Sequence, residues 1–241
     1  MPPLAYVCVR PELEAATAEH ASFQRALGVS TGDLDRIDLL SDELPERALD
    51  SYAGFVIGGS PFNVTDAAKS DVQVRVERDL ERIARAALDG RTAAFFTCYG
   101  IGVVTRMLGG TVGLDTPEPT SASQVSATAD AATDPIFGPA GASYSALTAH
   151  KEGSRAVPPG AVLLGTNHAC PVQAYRVGDR LYATQFHPEP TPQDFADRMH
   201  FYRSTGYFDP TAFDAVAAAV LQSDVTEPPQ LLRRFAQTFA A

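Results

Sequence analysis

The chain has 241 residues, of which 45% are hydrophobic and 20% charged, a composition typical of a folded globular protein and not of a disordered one. Its 29 acidic and 19 basic side chains give a formal net charge of −10, and no long run of lysine or arginine offsets it. This charge disfavours binding to nucleic-acid phosphates and to anionic membranes. We therefore expect neither nucleic acid nor a membrane among the partners.

The uncharged stretch 156–175 is long enough to cross a bilayer, but its three prolines exclude a continuous apolar helix. The N-terminal apolar run, residues 4–9, is too short for a secretory signal. Cys8, Cys98 and Cys170 show no metal-like or redox-like spacing, which fits free thiols in a reducing compartment. We expect a cytoplasmic protein.

Short β-branched and aromatic runs alternate with amphipathic stretches along the chain. The predicted strands are 5–9, 36–40, 54–57, 93–97 and 181–185. Several of them are apolar on both faces, as in a parallel sheet covered by helices. The predicted fold class is therefore α/β, a single domain with a mainly parallel, flavodoxin-like sheet, helices on both faces and extra C-terminal helices.

Two helices are predicted around the fourth strand. Between the third and fourth strands, apolar residues recur at steps of three and four from Val72 to Ala87. Ser70 and Gln73 are placed as a capping box before them, and Gly90 follows the far end. A second helix is predicted over 99–108.

Three more helices are predicted towards the C-terminus, each after a proline signal. Their inward-facing residues are Phe195, Met199 and Tyr202 in the first, Phe213, Val216, Val220 and Leu221 in the second, and Leu232, Phe235 and Phe239 in the third. The Ser/Thr/Ala-rich segment 120–133 is either a linker or a pair of edge strands. We expect residues 1–192 to form the α/β domain and residues 193–241 a helical extension packed on it.

Cys98 is the first candidate catalytic residue. The strand 93–97 runs directly into it and then into a helix, so Cys98 is predicted at a sharp strand-to-helix turn above the sheet. The helix dipole and nearby N–H groups favour the nucleophilic thiolate there. The alternative is a small buried hydrophobic residue, which is the role expected of Cys8 and Cys170.

His187 and Glu189 follow the last predicted strand. Residues two apart in an extended chain point the same way, so Glu189 can orient the His187 ring. With Cys98 they would complete a Cys–His–Glu relay. The alternative is that Glu189 caps the helix that starts at Thr191.

Gly58 and Gly59 end the third predicted strand, at the edge where open α/β sheets bind ligands. The Gly59 N–H together with that of Tyr99 could form an oxyanion hole. A plain turn is the alternative, and no phosphate-loop pattern follows the pair.

Four features occur in a fixed order: the Gly-Gly pair, the Cys-Tyr-Gly turn, a helix ending in Leu-Gly-Gly, and Gln-Phe-His-Pro-Glu. They resemble the class I (triad) glutamine amidotransferase domains, most nearly the stand-alone proteins similar to the glutaminase domain of GMP synthetase. The resemblance covers 52–191. Within this range, segments 149–150 and 163–166 resemble the family's pre-catalytic segment. It implies that a cysteine attacks the glutamine side-chain amide, ammonia leaves, and water hydrolyses the γ-glutamyl thioester.

Carried over by motif, the resemblance implies that Cys98 is the nucleophile, His187 the general acid/base and Glu189 its orienting partner. It also implies that Gly59 and Tyr99 are the oxyanion donors.

The chain departs from the family pattern at two positions. Phe96 stands for the glycine that leads the cysteine motif, and Gly102 for the glutamine that trails it. That glutamine helps to hold the substrate in the family, so its replacement removes a hydrogen-bonding side chain from the expected pocket. Gly58, Gly102 and His150 are candidate substrate-binding residues, with a structural role as the alternative for His150.

The leading hypothesis is an amidotransferase-type hydrolase that releases ammonia from glutamine through a Cys98 thioester. A γ-glutamyl peptide or amide hydrolase with the same triad is the first alternative, and a catalytically weak regulatory protein is the second. The expected partners are a small-molecule amide and, if the ammonia is used, a separate synthetase or acceptor subunit. No cofactor and no metal are expected, because the five histidines show no paired-ligand spacing.

Overall fold

The structure, a computed structural model, describes residues 3–30, 32–203 and 207–240. Its strands are β1 (Leu4–Cys8), β2 (Leu34–Asp38), β3 (Gly54–Ile57), β4 (Ala93–Thr97), β5 (Glu118–Ala127), β6 (Ser143–His150), β7 (Ala161–Thr166), β8 (Ala174–Val177) and β9 (Leu181–Thr184). Its α-helices are α1 (Leu13–Leu27), α2 (Ala48–Ser51), α3 (Asp71–Leu88), α4 (Tyr99–Met107), α5 (Pro192–Met199), α6 (Phe213–Leu221) and α7 (Glu227–Phe239).

The strands of the described residues form one nine-stranded sheet in the order β2-β1-β3-β4-β9-β8-β7-β5-β6. Every pairing from β2 to β9 is parallel, and every pairing from β9 to β6 is antiparallel. The predicted α/β class is confirmed. The sheet is mixed, however, and not mainly parallel, because the antiparallel strands β5 to β8 nearly double its width.

Helices cover both faces of the sheet. On one face, α3 and α4 pack Val76, Ile83 and Val104 against the strands. On the other, α1 and α7 pack Phe23 and Phe235. All five side chains are fully buried, so each of these four helices turns one face towards the sheet.

Helices α5 and α6 form a third, smaller cluster. Phe195 and Met199 of α5 meet Phe213 of α6 and Leu147 of β6. The predicted inner face is wrong at Leu221, which is exposed because it is the last residue of α6. Among the described residues, no helix combines the length and apolar character that a membrane crossing requires.

The N-terminal caps of α3 and α5 differ in how completely they form. The Ser70 hydroxyl accepts from the Gln73 N–H at 3.2 Å, but the Gln73 side chain donates to the carbonyl of Asn63 instead of closing the box. At α5 the full capping box forms, between Thr191 and Asp194. Both helices therefore start where the sequence predicts.

The segment 120–133 is neither a linker nor two strands. Its first part belongs to β5, which lies between β7 and β6, and residues 130–133 form a 3₁₀ turn. The active-site candidates lie elsewhere, past the carboxyl ends of β3, β4 and β9. Because β3 pairs with β4 and β4 with β9 in parallel, their following residues meet at one edge of the sheet.

Candidate active site

Cys98 forms the sharp turn between β4 and α4. Its backbone has φ 50° and ψ −101°, and it is the one non-glycine residue with positive φ among those described. Such a conformation is costly and persists only where the surroundings enforce it. Here the carbonyl of Thr184 holds the Cys98 N–H at 2.8 Å. The half-buried thiol is thereby presented at the start of a helix.

His187 reaches the same place from the neighbouring strand. It follows the end of β9, and its N–H donates to the carbonyl of Leu147 at 2.8 Å. The ring lines a cavity together with Cys98. On the other side of the ring, Nδ1 is hydrogen-bonded to Oε1 of Glu189 at 3.1 Å. The fold thus brings Cys98, His187 and Glu189 together.

The charges around His187 favour its protonated form. Burial alone would lower the pKa of the ring, but its interactions with Glu189 and, to a lesser extent, Cys98 outweigh burial and raise the pKa to about 9. Burial alone would raise the pKa of Glu189, but His187 and Arg198 hold it well below its usual range. At neutral pH an imidazolium therefore lies beside the sulfur, with an ionised carboxylate behind it.

Glu189 is part of a buried network of charges. Arg198 of α5 donates from Nη1 to Oε1 of Glu189 at 2.8 Å and to Oε1 of Glu19 at 3.4 Å. Glu19 of α1 also accepts from Tyr6 Oη at 2.6 Å and from Arg10 Nε at 2.8 Å. An unpaired buried carboxylate costs several kcal/mol, so each charge here depends on its partners.

The two predicted oxyanion donors differ in their surroundings. Tyr99 is the first residue of α4, so its N–H has no acceptor within the helix. The Gly59 N–H donates to Oε1 of Glu19 at 3.3 Å, which is long for a hydrogen bond. A Cβ at Gly59 would lie 2.8 Å from both Arg10 Nη2 and His187 Cε1, so this position requires glycine.

Two cavities meet at Cys98. The first, called the His187 cavity, is lined by His187, Arg10 and Arg198 among others, and has about 470 Å³ of empty space including its open mouth. The second, called the Tyr99 cavity, is lined by Tyr99, Asn63, Lys151, Glu152 and Gln185 among others. Ser60, Cys98 and Tyr207 belong to both walls.

His150 lines the Tyr99 cavity, but both of its ring nitrogens already have partners. Nε2 is 2.9 Å from Oε2 of Glu118, and Nδ1 is 2.9 Å from the carbonyl oxygen of Glu152. The ring is almost fully buried. The geometry therefore favours the structural alternative for His150.

Gly58 and Gly102 line neither cavity. A Cβ on Gly58 would collide with the carboxylate of Glu19, and one on Gly102 would lie 3.1 Å from Val64 Cγ2 and 3.4 Å from Glu152 Oε1. Both glycines make room for neighbouring side chains, so their predicted contact with substrate is not supported.

Two buried clusters contain metal-ligand residue types, with ligand-type atoms within 4.8 Å of one another. In the cluster of Glu118, His150 and Cys170, Asn167 and Gln173 also donate to the Glu118 carboxylate. In the cluster of Glu19, His187 and Glu189, Arg10 and Arg198 already supply the positive charge. We assign a metal to neither cluster.

Three buried residues of the site, Arg10, Glu19 and Arg198, were not predicted from the sequence. The sequence does contain a signal for Arg198, because this residue lies three positions after Phe195 on the inward face of a predicted helix. A charged residue is rarely buried unless it is paired, so this position indicates a buried acidic partner. Glu19 could not be found in this way, because α1 itself was not predicted.

The sequence model of the class-I glutamine amidotransferase family matches residues 25–204, most of the chain. The chain belongs to this family. It is 27% identical over 173 residues to γ-glutamyl peptidase 3 of Arabidopsis thaliana, and the match covers 69% of this chain and 67% of that protein.

Among solved structures, the fold is similar to a glutamine amidotransferase from Thermotoga maritima, with a TM-score of 0.74, 17% identity and coverage of 99% of this chain and 98% of that one. It is also similar to a protein assigned as a GMP synthase component from Thermoplasma acidophilum, with a TM-score of 0.60, 21% identity and coverage of 91% and 96%. At these identities the likeness concerns the fold.

Proposed function

We propose that this protein hydrolyses γ-glutamyl amide bonds through a thioester on Cys98. The observation that carries the proposal is the placement of the half-buried thiol of Cys98, on a strained backbone, in one cavity wall with His187, whose Nδ1 is hydrogen-bonded to Glu189. In this arrangement Cys98 is the nucleophile, His187 the general acid and base, and Glu189 the residue that fixes the ring.

The reaction proceeds in two steps. The Cys98 thiolate attacks the γ-carbonyl carbon, the C–N bond breaks, and His187 gives its proton to the leaving nitrogen. Water then adds to the γ-glutamyl thioester and gives a proton to His187, the C–S bond breaks, and the sulfur departs as thiolate. The products are glutamate and ammonia or an amine.

Both steps pass through an oxyanion that requires N–H donors. The Tyr99 N–H at the start of α4 is one donor. The Gly59 N–H becomes the second when it leaves Glu19, and its bond to that carboxylate, at 3.3 Å, is weak enough to exchange. One such donor is worth about 3 kcal/mol in the transition state.

The Tyr99 cavity suits the γ-glutamyl half of the substrate. Its wall includes one cation, Lys151, and one carboxylate, Glu152, and a γ-glutamyl group ends in an ammonium and a carboxylate. The Glu152 carboxylate is oriented by the N–H groups of Val64 and Thr65, at 2.8 and 3.0 Å.

Glutamine is the simplest substrate of this class, and its ammonia would pass to a synthetase on another chain. Two observations favour γ-glutamyl peptides as the second candidate. The space beside Gly102 is taken by Val64 and Glu152, so the family's glutamine side chain has no equivalent there. The relative from Arabidopsis thaliana is a γ-glutamyl peptidase.

The test is glutamate release from glutamine and from γ-glutamyl amines and peptides. The Cys98→Ala variant should release none, whereas the matched Cys8→Ala variant, altered at a buried thiol that lines neither cavity, should keep its activity. A diazo-ketone analogue of glutamine should label Cys98 alone in mass spectrometry. Equal glutamate release from wild type and Cys98→Ala would refute the proposal. Failure of the analogue to label Cys98, with Cys8 and Cys170 equally inert, would favour a regulatory protein.

A further inference from the structure

We propose that the His187 cavity binds the leaving half of the substrate and that Arg10 pairs there with a carboxylate on that half. The inference rests on the proposed cleavage at Cys98. The substrate class that follows is a γ-glutamyl dipeptide whose second residue has an apolar side chain and a free α-carboxylate.

The position of His187 identifies the side of the leaving group. The general acid must lie within reach of the nitrogen that it protonates. Of the two cavities that Cys98 lines, the His187 cavity includes His187 in its wall and the Tyr99 cavity does not. The amine therefore leaves into the His187 cavity, and the acyl half stays in the other.

Arg10 is placed for the α-carboxylate of the leaving residue. In the described residues its hydrogen bonds use Nε, to Glu19 at 2.8 Å, and Nη1, to Tyr202 Oη at 2.7 Å. Its Nη2 and the Cε1 atom of His187 each lie 2.8 Å from one point, the Cβ position at Gly59, so they are at most twice that distance apart. The carbon of an α-carboxylate is two bonds from its own nitrogen, so within this upper limit one leaving residue can reach both Arg10 and His187.

Arg198 provides an independent indication of a ligand. It lines the same cavity, and its buried Nε and Nη2 have no hydrogen-bond partner among the described residues. Buried donors without a partner are costly and rare, and a bound carboxylate close to this guanidinium would reduce that cost. Glu19 and Glu189, which pair with the two arginines, do not line the cavity, so its wall presents the cations and not the carboxylates.

The rest of the wall is largely apolar. Pro61, Phe195, Met199 and Phe208 line the cavity beside the arginines. Such a surface gains free energy from covering an apolar side chain. A free ammonia molecule would use neither this surface nor Arg10.

The experiment compares kcat/KM for γ-glutamyl-phenylalanine with kcat/KM for γ-glutamyl-phenylalaninamide, which lacks the carboxylate charge. In the wild type, the acid should exceed the amide by about 10- to 100-fold, the usual effect of a hydrogen bond to a charged group. In Arg10→Gln the ratio should fall close to one. In the matched control Arg85→Gln, at an exposed arginine of α3, the wild-type ratio should persist. γ-Glutamyl-glycine should be a poorer substrate than γ-glutamyl-phenylalanine.

Because each ratio is taken within one protein, partial loss of folded Arg10→Gln does not change it. The inference is overturned if the acid-to-amide ratio of kcat/KM is near one in the wild type, or if that ratio is unchanged in Arg10→Gln. In either case, turnover of glutamine or of the amide still supports the proposed function. If no compound is hydrolysed, the proposed function fails. In that case, calorimetry measures the affinities of the acid and of the amide for Cys98→Ala. The inference then requires the acid to bind about 10- to 100-fold more tightly than the amide, and equal affinities overturn it.

Discussion

Replacing Glu189 by glutamine should shift the pH dependence of the proposed hydrolysis. The substitution keeps the shape of the side chain but removes the charge that most strongly raises the pKa of His187. Burial then opposes the protonated ring, with Cys98 as the remaining group that offsets it. The pKa of His187 should therefore fall.

The magnitude follows from the rise of the His187 pKa from 6.5 to about 9. This rise corresponds to about 3 kcal/mol in favour of the imidazolium. The protonated ring is present below the pKa and is lost as the pH rises through it, so it sets the basic limb of the kcat/KM profile. We expect this limb near pH 9 in the wild type and at least about one unit lower in Glu189→Gln.

The assay is kcat/KM for a γ-glutamyl substrate across the pH range, together with the NMR titration of the His187 ring. Glu81→Gln, at a surface residue of α3 paired with Arg85, is the matched control and should leave the basic limb in place. A basic limb that does not move in Glu189→Gln would show that Glu189 does not stabilise the imidazolium, and the reasoning about the relay would be wrong.

Two further substitutions test the site and the core. Gly59→Ala places a methyl group 2.8 Å from His187 Cε1 and Arg10 Nη2. We expect kcat to fall by about 10²- to 10³-fold. An unchanged kcat would exclude Gly59 from the oxyanion hole. Phe235→Ala removes a fully buried ring of α7 and should lower the free energy of unfolding in urea by about 3–5 kcal/mol. The control Phe201→Ala, at a partly exposed ring, should lower it much less. Equal losses would contradict the packing described.

The parallel half of the sheet could be predicted because its strands are short, apolar on both faces and bounded by turn residues. The strands at 54–57 and 93–97 are found at the predicted residues, and the one at 181–185 differs by one residue. Their carboxyl ends then place Cys98 and His187 at one edge by geometry alone. Local pattern and topology agree there, which is why the site could be located.

The antiparallel half could not be predicted in the same way. Strand β5 is rich in Ser, Thr and Ala, and its register is fixed by pairing with β6 and β7 and not by its own hydrophobic alternation. The helix α1 was also missed, because it has a weak apolar face and buries Glu19 among small residues. The burial of Glu19 depends on Arg10, which precedes α1, and on Arg198 of α5, which is distant in sequence.

The residues proposed for the chemistry of the site and those proposed for its specificity are positioned by different parts of the fold. Cys98, His187 and Glu189 follow strand ends, and their order along the chain is enough to predict them as the candidate site. Arg10 and Arg198 are brought to one carboxylate, that of Glu19, because α1 and α5 pack together. A local motif can therefore predict the proposed reaction, whereas the proposed leaving-group site depends on contacts between helices that no local pattern encodes.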